Sequence, residues 1–94
     1  MTELPQSILS ILEAHYGRKL TITGLRNNGT CTAFNVSGMN VEVVTWTANH
    51  FRHCTIMQGD NYYGTAIGTT LEEALQFALS ALDEQIARYT YRFI

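Results

Sequence analysis

The sequence predicts an α+β domain in which an antiparallel β meander of three to five strands is flanked by an N-terminal and a C-terminal helix. Three observations carry this. Apolar residues recur at helical spacing in residues 8–16 and again in residues 71–86. The stretch between them is rich in Thr, Val, Tyr and Phe, and short turn signals cut it into strand-length pieces. The links are too short for crossover connections, so neighbouring strands run antiparallel.

The first helix opens at Pro5, whose missing N–H is tolerated in a first turn. Ile8, Leu9, Ile11, Leu12 and Tyr16 form its apolar face, while Gln6, Ser7, Ser10 and Glu13 face away. Gly17 stops it, and Arg18 and Lys19 place positive charge at the carbonyl end of its dipole. Strand segments are expected at residues 20–25, 30–36, 39–47, 51–58 and 62–67. The turns between them are Arg26-Asn27-Asn28-Gly29, Ser37-Gly38, Ala48-Asn49-His50 and Gly59-Asp60-Asn61. In the third segment Met39, Val41 and Val43 share a side opposite Asn40 and Glu42, yet Val44 and Trp46 fall on the side that began polar. Either a bulge reverses the register there or the second face of the sheet carries an apolar patch.

Thr70-Leu71-Glu72-Glu73 has the form of a capping box, and the second helix is expected to run to about Ala87. Its polar residues, Glu72, Glu73, Gln76, Asp83 and Glu84 among them, gather in about 120° of the wheel, leaving an apolar arc of about 200°. One sheet face needs roughly half of that, so this helix must touch something else as well. The alternation in residues 89–94 reads as a strand that docks on its own domain or on a second copy. A homodimer is therefore expected, with Phe77, Ala81, Tyr91, Phe93 and Ile94 at its interface.

The totals bound the function. Residues 1–94 form one domain, 46% hydrophobic and only 15% charged against roughly 25% in an average globular chain. A net charge of −2 with six Lys and Arg, of which only Arg18 and Lys19 are adjacent, predicts no direct nucleic-acid partner. Residues 1–12 lack a basic region followed by an apolar run, and no membrane span is read, so a cytoplasmic location is expected. In that reducing compartment Cys31 and Cys54 read as small buried hydrophobes.

His50, His53 and Cys54 invite a metal, with His15 or Cys31 as remote ligands, but tetrahedral zinc draws on two paired clusters and a second is missing. Neither metal nor cofactor is expected. A Cys31–His53 pair lacks an orienting third group, Asp60 reads as turn chemistry, and the glycines at 59, 64 and 68 punctuate a strand, so no catalytic residue is assigned. Trp46, Arg52 and Tyr63 are the residue types that dominate binding hot spots, and Glu73 and Glu84 belong to an acidic strip that would meet a basic partner surface. The leading expectation is a small non-catalytic protein-binding module. The alternative is a small-ligand, nucleotide-type binding protein or enzyme with a pocket near His53, Cys54 and Tyr63.

The stretch from Tyr62-Tyr63-Gly64 through Thr69-Thr70-Leu71-Glu72-Glu73-Ala74-Leu75 to Ala81-Leu82 resembles the C-terminal half of small phage and prophage accessory proteins with an α-β-β-β-α layout. It is also similar to the strand-to-helix step of HicB-type antitoxins. The resemblance implies a host-directed or regulatory binder, such as an inhibitor of a bacterial defence system, and carries over no catalytic residue. The helix-sheet-helix order further resembles double-stranded RNA-binding domains, which open their second helix on a lysine cluster; this chain puts Glu72 and Glu73 there.

Overall fold

The computed structural model describes residues 4–92, with side chains through Arg88. In chain order the elements are α1 (Gln6–Tyr16), β1 (Ile22–Asn28), β2 (Cys31–Val36), β3 (Val41–Ala48), β4 (Phe51–Gln58), β5 (Tyr62–Gly68) and α2 (Leu71–Arg92). The strands form one five-stranded sheet in the order β1-β2-β3-β4-β5, antiparallel throughout. This is the upper end of the expected strand number. No described helix is long and apolar enough to cross a membrane.

Both helices lie on one face of this sheet. Ile8 and Leu12 of α1, Phe34 and Val36 of β2, Val41 and Val43 of β3, and Cys54 and Ile56 of β4 share a core with Ala74, Leu75, Ala78, Leu79 and Leu82 of α2. Gly17 takes the left-handed conformation that ends α1, its N–H bonding Glu13 O at 2.8 Å. Glu13 does not simply face solvent as its place on the wheel suggests, because its carboxylate accepts the Leu20 N–H at 2.9 Å and ties the chain back after the turn.

Three features of the sheet correct the sequence reading or decide between its alternatives. β1 continues to Asn28, so Arg26, Asn27 and Asn28 are strand residues and the hairpin loop is only Gly29-Thr30. The register of β3 is unbroken from Val41 to Ala48, which removes the bulge alternative and puts Val44 and Trp46 on the second face. The sheet's bulge lies instead in β1, where Gly24 and Leu25 together oppose Phe34. Gly24 has φ 62, and a Cβ there would come 3.0 Å from Asn35 Oδ1, so this position needs glycine.

Gly64 and Gly68 are more than punctuation. They sit within β5 on the helix side, where a Cβ on Gly64 would approach Leu82 N to 2.5 Å and one on Gly68 would approach Ala74 N to 2.7 Å. Paired with Ala74 and Ala78, they let the backbone of α2 settle directly onto β5.

The capping box forms with one shift. Thr70 Oγ1 accepts from Glu73 N at 3.1 Å, while the Glu73 carboxylate reaches one residue further back to Thr69 N at 3.1 Å. The helix then runs past Ala87 to Arg92, so the strand expected in residues 89–94 is corrected: its first four residues continue α2. Extending a formed helix adds one hydrogen bond per residue fixed, an advantage that a short alternating pattern with no strand partner does not match. Phe93 and Ile94 lie outside the described residues, and the side chain of Tyr91 is not among those described.

The surplus apolar arc of α2 meets α1 within the chain. Ser7 Oγ donates to Glu72 Oε1 at 2.9 Å near one end of the helix pair, and His15 Nε2 lies 3.2 Å from Asp83 Oδ1 near the other. Phe77 remains 53% exposed.

Candidate functional site: the open face of the sheet

With both helices on one side, the other face of the sheet has no covering layer among the described residues. Strand parity assigns this face Cys31, Ala33 and Asn35 of β2, Glu42, Val44 and Trp46 of β3, Phe51, His53, Thr55 and Met57 of β4, and Tyr63, Thr65 and Ile67 of β5. Register builds an apolar band across it. Trp46 stands opposite both Cys31 and His53, His53 opposite Ile67, and Met57 opposite Tyr63.

The indole of Trp46 and the imidazole of His53 are stacked, with ring centroids 5.2 Å apart and planes inclined by 13°. His53 Nε2 is 3.4 Å from Ala48 O, which holds the ring against the hairpin. The Thr55 and Thr65 hydroxyls bond at 3.1 Å in the middle of the face. Around these lie Phe51, Ile67 and Tyr63, between 46% and 58% exposed. The charges on this face are Arg26 and Glu42, which neutralise each other at 2.7 Å on the β1 side. Arg26 also donates to Gly24 O at 2.8 Å and Asn35 Oδ1 at 3.1 Å. The toothed surface that results is uncharged toward β5 and capped by a fixed ion pair toward β1.

The sequence-derived candidates divide among three places. Trp46 and Tyr63 belong to the open face, though at different ends of it. Arg52 points to the helix side, opposite Thr47 and Gly68. Glu73 and Glu84 are engaged within α2 and its cap: Glu73 takes the Thr69 N–H, and Glu84 Oε1 accepts from Arg88 at 2.6 Å. The rest of the acidic strip is engaged too, Glu72 by Ser7 and Asp83 by His15. The Glu72 carboxyl is held below the usual range by its own backbone amide and the Ser7 hydroxyl, with a smaller pull from Arg52.

Phe77 and Ala81 lie in the α2 row Glu73, Phe77, Ala81, Gln85. The ends of this row cap the free edge of β5, because Gln85 Oε1 accepts the Tyr63 N–H at 2.6 Å and Glu73 accepts that of Thr69.

His53, Cys54 and Tyr63 do not converge. His53 is stacked on the open face, Tyr63 lies beyond Thr65 and Ile67 toward the other end of β5, and Cys54 is wholly buried on the helix side, where burial pushes its thiol up to about 12. Cys31, opposite Trp46, likewise lies across the sheet from Cys54, and both thiols are free. Among the described residues no group of three or more His, Cys, Asp and Glu side chains could hold a metal ion.

Phe51 and Ile67 were missing from the sequence-derived set. Their parity with His53 was available, since Phe51 is two residues before it and Ile67 belongs to the same alternation as Tyr63. Comparison with family models, with curated proteins and with solved structures gives no significant match.

Proposed function

We propose that this chain is a non-catalytic protein-binding module that docks its partner on the open face of the sheet. The observation that carries the reading is a solvent-facing layer holding the Trp46–His53 stack, Phe51, Ile67 and Tyr63, with its one pair of charges already neutralised. Aromatic side chains on a rigid strand lose little conformational freedom on binding and supply most of the energy of an interface. The chemistry fits an apolar, weakly charged partner element such as one face of an amphipathic helix. The likeness to phage accessory proteins extends the proposal to a host-directed inhibitor of a bacterial defence component, working in the cytoplasm.

The test is capture of a partner from bacterial lysate by the wild-type chain and two variants. Trp46→Ala with Phe51→Ala should lose the partner, and Glu73→Lys with Glu84→Lys should keep it. Equal capture by the open-face variant would remove the proposal, and loss on charge reversal alone would move the surface to α2.

We also propose a homodimer centred on Phe77 and Ala81 and extended by Tyr91, Phe93 and Ile94, for which the exposure of Phe77 is the support. Light scattering should give twice the chain mass for the wild type and a monomer for Phe77→Ser; a monomer in both at micromolar concentration rejects it.

A further inference from the structure

Beneath the sheet, between its Gly29-Thr30 and Asn49-His50 hairpin end and the first turns of both helices, lies a cleft of about 480 Å³. That volume is within the range of small-molecule sites. Ile8 and Phe34, almost wholly buried, close its bottom, Leu4, Pro5 and Leu71 form its apolar sides, and its polar lining includes Thr45, Thr47 and Arg52. Thr45 Oγ1 is already used, donating to Thr32 O at 3.3 Å. Thr47 stands directly opposite Arg52 across the β3–β4 pair.

Arg52 is the unusual member. Elsewhere among the described residues Arg26 bonds Glu42 and Arg88 bonds Glu84. The Arg52 guanidinium pulls on Glu72 only at longer range, and that carboxylate is already bonded to Ser7. Among the described residues no hydrogen bond or ion pair occupies the Arg52 guanidinium, which lines a cleft with apolar sides.

We infer that this cleft binds a small organic monocarboxylate, its apolar body against Leu4, Pro5 and Leu71 and its carboxylate accepting from the Arg52 guanidinium and the Thr47 hydroxyl. A planar guanidinium matches a carboxylate in two parallel hydrogen bonds. A single cation with Glu72 close by suits one negative charge better than the two of a phosphate monoester. The site lies on the helix side of the sheet and shares only Trp46 with the open face, so either reading can fail without the other.

The experiment is titration of the ¹⁵N-labelled chain of 94 residues with octanoate, with 1-octanol and with inorganic phosphate. Octanoate should shift the amides of Ile8, Thr47, Arg52 and Leu71 while those of Thr55 and Thr65 on the open face stay in place. Arg52→Gln, an exposed and structurally mild change, should weaken octanoate roughly tenfold or more and leave octanol unaffected. Octanol or phosphate binding the cleft as tightly as octanoate would overturn the inference. So would octanoate binding that ignores Arg52→Gln, or no shift of the cleft amides at millimolar octanoate.

Discussion

Replacing Gly64 by alanine adds one methyl group where the structure has no room for it. The new Cβ would lie 2.5 Å from Leu82 N and 2.9 Å from Leu82 Cα, and it would also collide with Ala78 O. All three are backbone atoms of α2, so no side chain can rotate away; the helix must lift from β5 or the strand must bend. Overpacking of a well-filled core costs about 1–3 kcal/mol. With backbone on the far side the upper end applies, and about 3 kcal/mol is expected. A chain of 94 residues has a total stability of only about 5–14 kcal/mol. At about 4–8 °C per kcal/mol for a domain of this size, the midpoint should fall by roughly 12–24 °C. Thr65→Ala, the next residue on the same strand but on the open face, should cost less than about 1 kcal/mol. Paired thermal and urea denaturation of the two variants decides it. A Gly64→Ala chain within about 1 kcal/mol of wild type would refute close helix–strand contact as the reason for this glycine.

Three further perturbations test separate parts of the account. Thr70→Ala removes the hydroxyl that accepts the Glu73 N–H and should destabilise by about 1 kcal/mol in urea, whereas Thr70→Ser should stay within a few tenths. Asn49 and His50 both have positive φ, 53° and 70°, in the tight β3–β4 turn, so His50→Gly should relieve left-handed strain and stabilise by roughly 0.5–1 kcal/mol; a loss of stability would contradict the turn geometry. The Cys54 thiol, ordinarily titrating near 9.0, is pushed up to about 12 by burial, and the Tyr16 phenol is raised above 10.0 first by burial and then by Asp83. The native state therefore holds these protons more tightly than the unfolded chain. Their stabilisation is complete below about pH 9 and is lost as the pH climbs toward 12, so the urea midpoint should fall between pH 8 and pH 11. A flat profile across that interval would rule this linkage out.

Element order was legible because the hydrophobic period changes where the structure changes, from the Ile8–Leu12 spacing of α1 to the Val41–Val43 alternation of β3 and back at Thr70. The misplaced end of β1 has a local cause. Asn27 and Asn28 are good turn residues, yet a two-residue hairpin loop needs only Gly29 at its first position and leaves the asparagines in the strand. Residues 89–92 misled because four residues of alternation are also compatible with one more turn of an established helix.

The remaining differences are tertiary. That Gly64 and Gly68 meet α2 depends on where that helix crosses the sheet, and the bonds from Ser7 to Glu72 and from His15 to Asp83 join residues more than sixty positions apart in the chain. The apolar second face could be suspected from Val44 and Trp46. Its extent across Phe51, Met57, Tyr63 and Ile67 required the register of all the strands.

The claim that the open face is the docking surface can be read directly from Trp46, the chain's one tryptophan, which is stacked on His53 on that face. Acrylamide quenching of its fluorescence, measured on the free chain and on the purified complex with its captured partner, is the most direct test. Burial of the face predicts a blue-shifted emission and quenching several-fold weaker in the complex. Emission and quenching unchanged on saturation with partner would contradict the account and place the interface elsewhere on the molecule.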